Sequence, residues 1–148
     1  METIGLFLFI AGFIIGLGAV TVIDTLGFLG RQSSYWTLTT IRAHKVTKPL
    51  IWIGTLLAVI GGFLFYSNKP FQGIPVIHGL LAILLVLNGI FLSFYVSPRL
   101  LKQEKDGEAD KILPKTLQNK IKVSFVVSFV GWWSVVLLLA YYLVTYGA

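Results

Sequence analysis

The side chains best suited to chemistry in this sequence are a few polar residues set within long apolar runs. Asp24, in the stretch VTVIDTLGF, is the only ionisable residue between Ile4 and Gly30. An acid left facing lipid costs several kcal/mol, so an acid within a membrane span is a candidate site for a proton, a cation or a polar ligand group. Thr21 and Thr25 lie nearby on the same predicted helix and extend this candidate path.

Two interpretations of Asp24 stay open. It lies twenty residues after Ile4, which places it about 30 Å along the first helix and near the inner membrane boundary. In the first interpretation its carboxylate pairs at headgroup level with a basic residue: Arg31, Lys48 or Arg99. In the second it faces the helix bundle and turns with Thr21 towards Asn88.

Asn88 is a second polar residue deep inside an apolar run. It lies twelve residues into the third run, about 18 Å along a helix, and so near the middle of the bilayer. A buried amide must be hydrogen-bonded, most simply to Ser128 or Ser134 of the fourth run or to a backbone carbonyl. Asn88 and Ser128 are therefore predicted either to hold two helices together or to contact a ligand.

Trp132 and Trp133 form an unusual pair, because tryptophan normally marks the membrane edge and these two begin about 15 Å into the fourth run. Adjacent indoles point in different directions, so one can face lipid while the other turns inward. An inward indole whose N–H donates a hydrogen bond would suit a pocket for a flat ligand such as haem or a quinone. Packing without a ligand is the alternative.

The two histidines raise the question of haem, since two axial histidines at one depth can hold an iron. His44 is in a basic connection and His78 is near the outer end of the third run, so most of the bilayer is predicted to separate them. Either histidine alone could bind a haem iron with a partner that is not a histidine, and His78 is the one predicted for a haem- or quinone-binding protein. A polar residue at the membrane interface, without a ligand, is the default interpretation of both. The chain has no Cys, and we predict no metal site and no bound cofactor.

The composition requires a membrane around these residues. Of the 148 residues, 56% are hydrophobic and only 12% are charged, which leaves more apolar surface than a soluble domain of this size can bury. Four apolar runs are near or above the ~20 residues that cross a bilayer as a helix. The sequence thus predicts an all-α integral membrane protein, a single domain over 1–148. Its up-down bundle has four transmembrane helices, at about 4–30, 49–66, 76–98 and 122–146.

The basic residues orient this bundle. Eleven of the twelve Lys and Arg lie in the first and third connections, and Lys69 stands alone in the second. Short basic connections stay in the cytoplasm, so both termini are predicted to face outward from the cell (inner) membrane. The net charge of +6 is explained by this rule and by attraction to anionic lipid headgroups, without nucleic acid.

The first connection, RQSSYWTLTTIRAHKVTKP, is too polar to span the bilayer yet carries several apolar side chains. We predict a short interfacial helix here, capped by Ser33 or Ser34 and leading into the second span at Pro49. One long helix bent near Pro49 is the alternative.

Small residues at helical spacing predict where the helices touch. On the first span they follow one line: Gly5, Gly12, Gly16, Ala19 and Gly27. Similar residues recur on the second and fourth spans, among them Gly54, Ala58, Ser124, Ser128 and Gly131. These faces serve packing inside the bundle or, alternatively, a homodimer or a membrane-protein partner.

All four spans contain segments that resemble a broad, largely uncharacterised group of small bacterial four-helix membrane proteins: GLGAVTVIDTLGFL, KPLIWIGTLLAVIGG, LLVLNGIFLSFYVSPRL and GWWSVV. The resemblance implies a bacterial inner-membrane bundle without a settled activity. More remotely, the architecture is similar to the membrane domain of the copper-resistance D family and to HemJ-type protoporphyrinogen oxidases, which use a His in helix one and a Lys in helix three around haem. Here the first span has no His, and His78 stands near where such a Lys is expected, which argues against haem-dependent oxidation.

Three functions remain in consideration. The first is a small oligomeric transport or permeation protein in which Asp24, Thr21 and Asn88 line a polar path. The second is a partner subunit that docks another membrane protein through its glycine and serine faces. The third is a redox protein that binds haem or quinone beside the paired tryptophans. No hydrolase or phosphate-loop motif is present, so no catalytic residue is predicted.

Overall fold

The computed structural model describes residues 1–30, 33–109 and 111–146, and within these ranges it contains helices and no strand. The helices are α1 (Glu2–Leu29), α2 (Ser34–Tyr66), α3 (Ile74–Lys105) and α4 (Lys115–Tyr146). All four are long and apolar enough to cross a membrane. The prediction of an all-α chain with four membrane-length helices is confirmed.

The expected short interfacial helix is not a separate element. Ser33 caps α2, its side-chain oxygen accepting the Trp36 N–H at 3.3 Å, and the helix then continues through Pro49 to Tyr66. Proline in a helix interior removes one hydrogen-bond donor, a loss that membrane helices tolerate. The first turns of α2 are also fixed by packing, because Ile41 is only 1% exposed. This burial holds the segment against the bundle as part of α2.

Helices that follow one another in the chain are antiparallel. The start of α1 lies beside the end of α2, where Gly5 approaches Phe65, and His78 near the start of α3 reaches Val135 in the second half of α4. We call the end of the bundle where α1 ends, α2 begins, α3 ends and α4 begins the basic end. The opposite end, where α1 begins, α4 ends and the connection 67–73 joins α2 to α3, is the terminal end. The bundle therefore has the predicted up-down order.

The small residues of α1 are used inside the chain. A Cβ atom built on Gly12 would lie 2.8 Å from the Cα atom of Ala58, and one built on Gly54 would lie 2.5 Å from the Cα atom of Gly16. Backbones this close leave no room for side chains between them. Gly27, at the end of the predicted line, has nothing within 4 Å. A homodimer or a membrane-protein partner would therefore need a different face of α1.

A wide turn interrupts α3. Leu92–Val96 form one π-helical turn, and the N–H of Ser97 donates to the carbonyl of Leu92, five residues back. The corresponding partner of the Ser93 carbonyl would be residue 98, which is a proline and has no N–H. The wide turn and Pro98 together free the Ser93 carbonyl for another donor.

Buried side chains form one cluster towards the terminal end, including Phe9, Phe65 and Trp132, and a second at the basic end. The second cluster is made of Ile41, Val96, Leu100 and Ala109. Between the helices beside this second cluster, the packing leaves the cavity that holds the candidate site.

Candidate functional site

A cavity of about 120 Å³ lies between all four helices near the basic end. Most of its wall is apolar, with contributions from residues 23–30 of α1, 37–52 of α2, 89–100 of α3 and 113–125 at the start of α4. Several polar or charged side chains also line it: Asp24, Thr37, Thr40, His44, Lys48, Trp52, Ser93 and Gln118. An apolar pocket with a few convergent polar groups is the usual form of a small-ligand site.

The close packing of α1 on α2 sets the level of Asp24. Gly16 faces Gly54, so eight residues further along α1 and eight residues back along antiparallel α2 bring Asp24 level with residue 46. His44 and Lys48 are four residues apart and share one helix face at this level. This geometry is why an acid, an imidazole and an ammonium group meet in one cavity.

Two buried polar atoms in this cavity have no hydrogen-bond partner among the described residues. They are Oδ2 of Asp24 and Nε2 of His44. An unmet buried donor or acceptor costs about 1–3 kcal/mol, and more when it is charged. Buried polar groups are nearly always paired, so two unpaired atoms lining the same cavity mark it as the place where a ligand, ion or water would bind.

Asp24 forms no ion pair within the described part of the chain. The Nζ atom of Lys48 lies 3.4 Å from a carbonyl oxygen of α3. Arg99 places its guanidinium 3.6 Å from the centroid of the Tyr95 ring and donates to the Tyr95 carbonyl. Arg31, the third expected partner, lies outside the described residues. Neither Lys48 nor Arg99 therefore supplies the headgroup-level ion pair that the sequence had suggested.

The Ser93 residue in the wide turn of α3 holds α2 against α3 through two hydrogen bonds. Ser93 accepts from Lys48 through its backbone oxygen at 3.4 Å, and its hydroxyl accepts from the Trp52 indole N–H at 2.9 Å. His44, Lys48 and Trp52 follow one another at intervals of four residues, so they form a continuous polar edge along α2. This edge is one wall of the cavity.

Thr21 and Thr25 do not belong to the cavity with Asp24. Both side chains are exposed on α1, and each hydroxyl donates to its own helix, Thr21 to the carbonyl of Leu17 at 2.7 Å and Thr25 to that of Thr21 at 2.8 Å. A threonine bonded back to the preceding turn has its donor already satisfied. The expected combination of Asp24 with these two threonines is therefore not formed.

Asn88 joins α3 to α4 away from the cavity. Its amide nitrogen donates to the Ser128 hydroxyl at 2.9 Å and to the Ser124 carbonyl at 3.1 Å, and its amide oxygen accepts from the Ser124 hydroxyl at 2.7 Å. The predicted bond between Asn88 and Ser128 is thus present. With three bonds to α4, the Asn88 amide holds two helices together and does not turn towards Asp24.

The two adjacent tryptophans separate as expected. Trp132 is 3% exposed and meets the Phe13 ring edge-on with 6.0 Å between centroids, whereas Trp133 is 48% exposed. The tip of the Trp132 ring fills the space beside Gly16. Trp132 is therefore the inward member, and Trp133 is available only to surroundings outside the bundle.

His78 is buried, and both of its ring nitrogens are engaged. Nδ1 lies 2.8 Å from the Tyr66 hydroxyl, and Nε2 lies 3.1 Å from the Val135 carbonyl. A carbonyl only accepts, so Nε2 carries the hydrogen and Nδ1 accepts from Tyr66. An iron or another axial ligand would have to displace one of these partners, and the bonds instead give His78 a role in joining α2, α3 and α4.

Two smaller cavities continue from the first towards the terminal end. One, of about 40 Å³, is lined by Asp24, Thr55, Ser128 and Trp132 among others. The next, also about 40 Å³, shares Thr55 and Trp132 as wall residues and reaches His78. Of the site residues predicted from sequence, Asp24, Ser128 and Trp132 thus line one small cavity together. His78, the predicted cofactor ligand, lines the next cavity.

His44, Lys48, Trp52 and Ser93 were not predicted from sequence as one site. His44 was considered only as a haem ligand, Lys48 only as an ion-pair partner of Asp24, and the other two not at all. Their signal was the four-residue spacing of the first three, which is readable only if one helix runs through that segment. Ser93 had no such signal, because its exposure to the cavity depends on the wide turn of α3.

No protein-family model, no curated protein and no solved structure matches the chain. The resemblance to small bacterial four-helix membrane proteins therefore stays a prediction. The four helices, each long and apolar enough to cross a membrane, are compatible with a multi-pass membrane protein.

Proposed function

We propose that this chain is a small transport protein of the bacterial inner membrane, with the cavity at Asp24 as the site where the transported species binds. Its basic end faces the cytoplasm and both termini face outward, because short connections rich in Lys and Arg remain inside. The transported species is a proton, a small ion or a small polar solute, in keeping with a cavity of about 120 Å³.

The observation that carries this proposal is the unpartnered Oδ2 of Asp24. An acid inside a membrane helix is costly to keep, and such residues ordinarily mark the pathway of an ion or substrate. Asp24 lines a cavity between the helices and forms no ion pair with Lys48, so its Oδ2 atom is available to accept a hydrogen bond from a bound species. Structural pairing at the membrane edge would have used up that acceptor.

The two small cavities beyond Asp24 give the direction of the proposed route. They extend past Trp132 to His78, which joins the terminal half of α4. Each of these cavities has a volume of about 40 Å³, which is close to the ~30 Å³ that one water molecule occupies in the liquid. A route this narrow needs either movement of Trp132 or a second protomer, and we propose that the transporting unit is an oligomer.

The test is flux through liposomes that contain the purified full chain. Asp24→Asn keeps the size of the side chain and removes its negative charge, and we expect it to abolish flux above the level of empty liposomes. The probes are protons, followed with an entrapped pH dye, and then potassium, sodium and chloride with ion-sensitive dyes.

The matched control is Thr21→Val, one turn earlier on α1. Its hydroxyl is exposed and bonded to its own helix, so flux is expected to match that of the unmodified chain. If Asp24→Asn leaves the flux of every probe unchanged, the transport proposal is wrong.

A further inference from the structure

We infer that the species held at this site is a proton, shared between Oδ2 of Asp24 and Nε2 of His44 through water in the cavity. This inference rests on the proposed transport function and gives it a substrate. The two atoms are buried and without partners among the described residues, and both belong to residues that line the same cavity.

The chemistry of the two atoms is complementary. A carboxylate oxygen accepts a hydrogen bond, and an imidazole nitrogen either donates or accepts according to where its proton lies. One proton moving between them through a bridging water therefore satisfies both atoms in either position. The cavity of about 120 Å³ has room for about four water molecules at ~30 Å³ each, which suffices for such a bridge.

A metal cation fits the same wall poorly. Zinc sites use three or four protein ligands, and calcium takes six to eight oxygens. No group of three or more His, Cys, Asp or Glu side chains suited to a metal occurs in the described ranges 1–30, 33–109 and 111–146. A proton needs only one acceptor atom at a time, so Oδ2 of Asp24 and Nε2 of His44 are enough to hold it.

Among the described residues that line the cavity, the charged and titratable groups facing the pair come from two helices. Asp24 is on α1, and His44 and Lys48 are on α2. The parts of the wall contributed by α3 and α4 carry no titratable side chain, and their polar members are Ser93 and Gln118. With Asp24 ionised and His44 neutral, Lys48 brings the site to zero net charge. One added proton brings it to +1, so the site accepts a single proton without a large excess of charge.

Proton transfer within the site is balanced. The proton leaves Nε2 of His44 for the bridging water, while that water gives one of its own protons to Oδ2 of Asp24. The reverse step restores the imidazolium, and no electron pair or further reactant is exchanged.

The test follows the titration of each group directly in the full chain in lipid bilayers. The chain has only three Asp, at positions 24, 106 and 110, and two His. With ¹³C-labelled aspartate, the infrared C=O band that Asp24→Asn removes belongs to Asp24. With ¹⁵N-labelled histidine, nuclear magnetic resonance follows His44 and gives His78 as an internal control in the same sample.

Strongly interacting groups lose their protons in two steps that belong to the pair. We expect the Asp24 band and the His44 signal to show the same two midpoints, separated by about one pH unit or more. His78 is expected to show neither midpoint. In His44→Gln, the Asp24 band is expected to titrate in a single step.

A single, independent step for Asp24 in the unmodified chain would overturn the shared proton, and so would a His44 signal with different midpoints. Neither result would touch the transport proposal, which depends on flux. Conversely, shared midpoints together with undiminished flux in Asp24→Asn would leave the proton pair standing and remove transport.

Discussion

Gly12→Ala is expected to destabilise the bundle by separating α1 from α2. The added methyl would lie 2.8 Å from the Cα atom of Ala58, whereas two carbons pack best at about 3.5–4.0 Å, so the helices must move apart by about 1 Å. The atoms in the way are backbone atoms, which cannot rotate aside as a flexible side chain does. Overpacking of this kind costs about 1–3 kcal/mol.

Gly18→Ala is the matched control on the same helix. A Cβ atom at Gly18 has nothing within 4 Å. Both substitutions gain the same preference of alanine for a helix, about 1 kcal/mol, so the difference between the variants isolates the cost of the close approach. We expect Gly12→Ala to unfold with about 1–3 kcal/mol less free energy than Gly18→Ala.

The assay is equilibrium unfolding of the purified chain in bicelles by increasing sodium dodecyl sulfate, followed by circular dichroism. Gly12→Ala should unfold at a lower detergent fraction than Gly18→Ala, and the unmodified chain should lie between them, below Gly18→Ala by the helix preference of alanine. Equal midpoints for the two variants would refute the close packing of α1 on α2, and with it the level assigned to Asp24.

Two further outcomes test other contacts. Asn88→Leu removes the three hydrogen bonds to Ser124 and Ser128. Each bond between membrane helices contributes about 0.6 kcal/mol, so the free energy of unfolding should fall by about 2 kcal/mol. An unchanged midpoint of thermal unfolding would contradict this. The hydrogen bond that Lys69 donates to the Glu2 carboxylate, at 2.5 Å, raises the pKa of Lys69 above its ordinary value. The stabilisation is therefore complete below the ordinary lysine pKa of about 10.4 and is lost as the pH rises through the higher pKa of the folded chain. In thermal unfolding above that pH, Glu2→Gln should lose less stability than the unmodified chain, and parallel losses would contradict the pair.

The transmembrane part of the fold was predictable because apolar length and small-residue spacing are strong signals. The runs around Asp24 and Asn88 marked α1 and α3, and the glycine line on α1 indicated the face that packs on α2. The start of α2 was predicted fifteen residues too late, at 49 instead of Ser34. Hydropathy predicts the part of a helix that lies in the hydrocarbon layer. The helix itself begins where its backbone hydrogen bonds begin, which for α2 is at the Ser33 cap.

The candidate site was predictable in part. Asp24 stood out because it is the only acid in its run, and the bond of Asn88 to Ser128 followed from the need to satisfy a buried amide. The partners of Asp24 depended on the angle between helices, and a sequence does not give that angle. His44 was assigned to an interfacial segment, because the polar residues around it favoured a separate short helix over the alternative of one long helix that runs through Pro49.

The wide turn of α3 sets the angular phase between the two halves of that helix. Successive residues of an α-helix advance by about 100°, so a single residue inserted into or removed from Leu92–Val96 rotates everything beyond it by that angle. If one residue were removed from Leu92–Val96, so that α3 became a regular α-helix there, Asn88 would keep its hydrogen bonds to α4. The removal would swing Ser97 and Leu100, now 2% and 5% exposed, out towards lipid. The hydrogen bonds of Asn88 to α4 and the part of the cavity wall at Ser93 thus lie on two halves of one helix, and the wide turn sets the rotation of one half relative to the other.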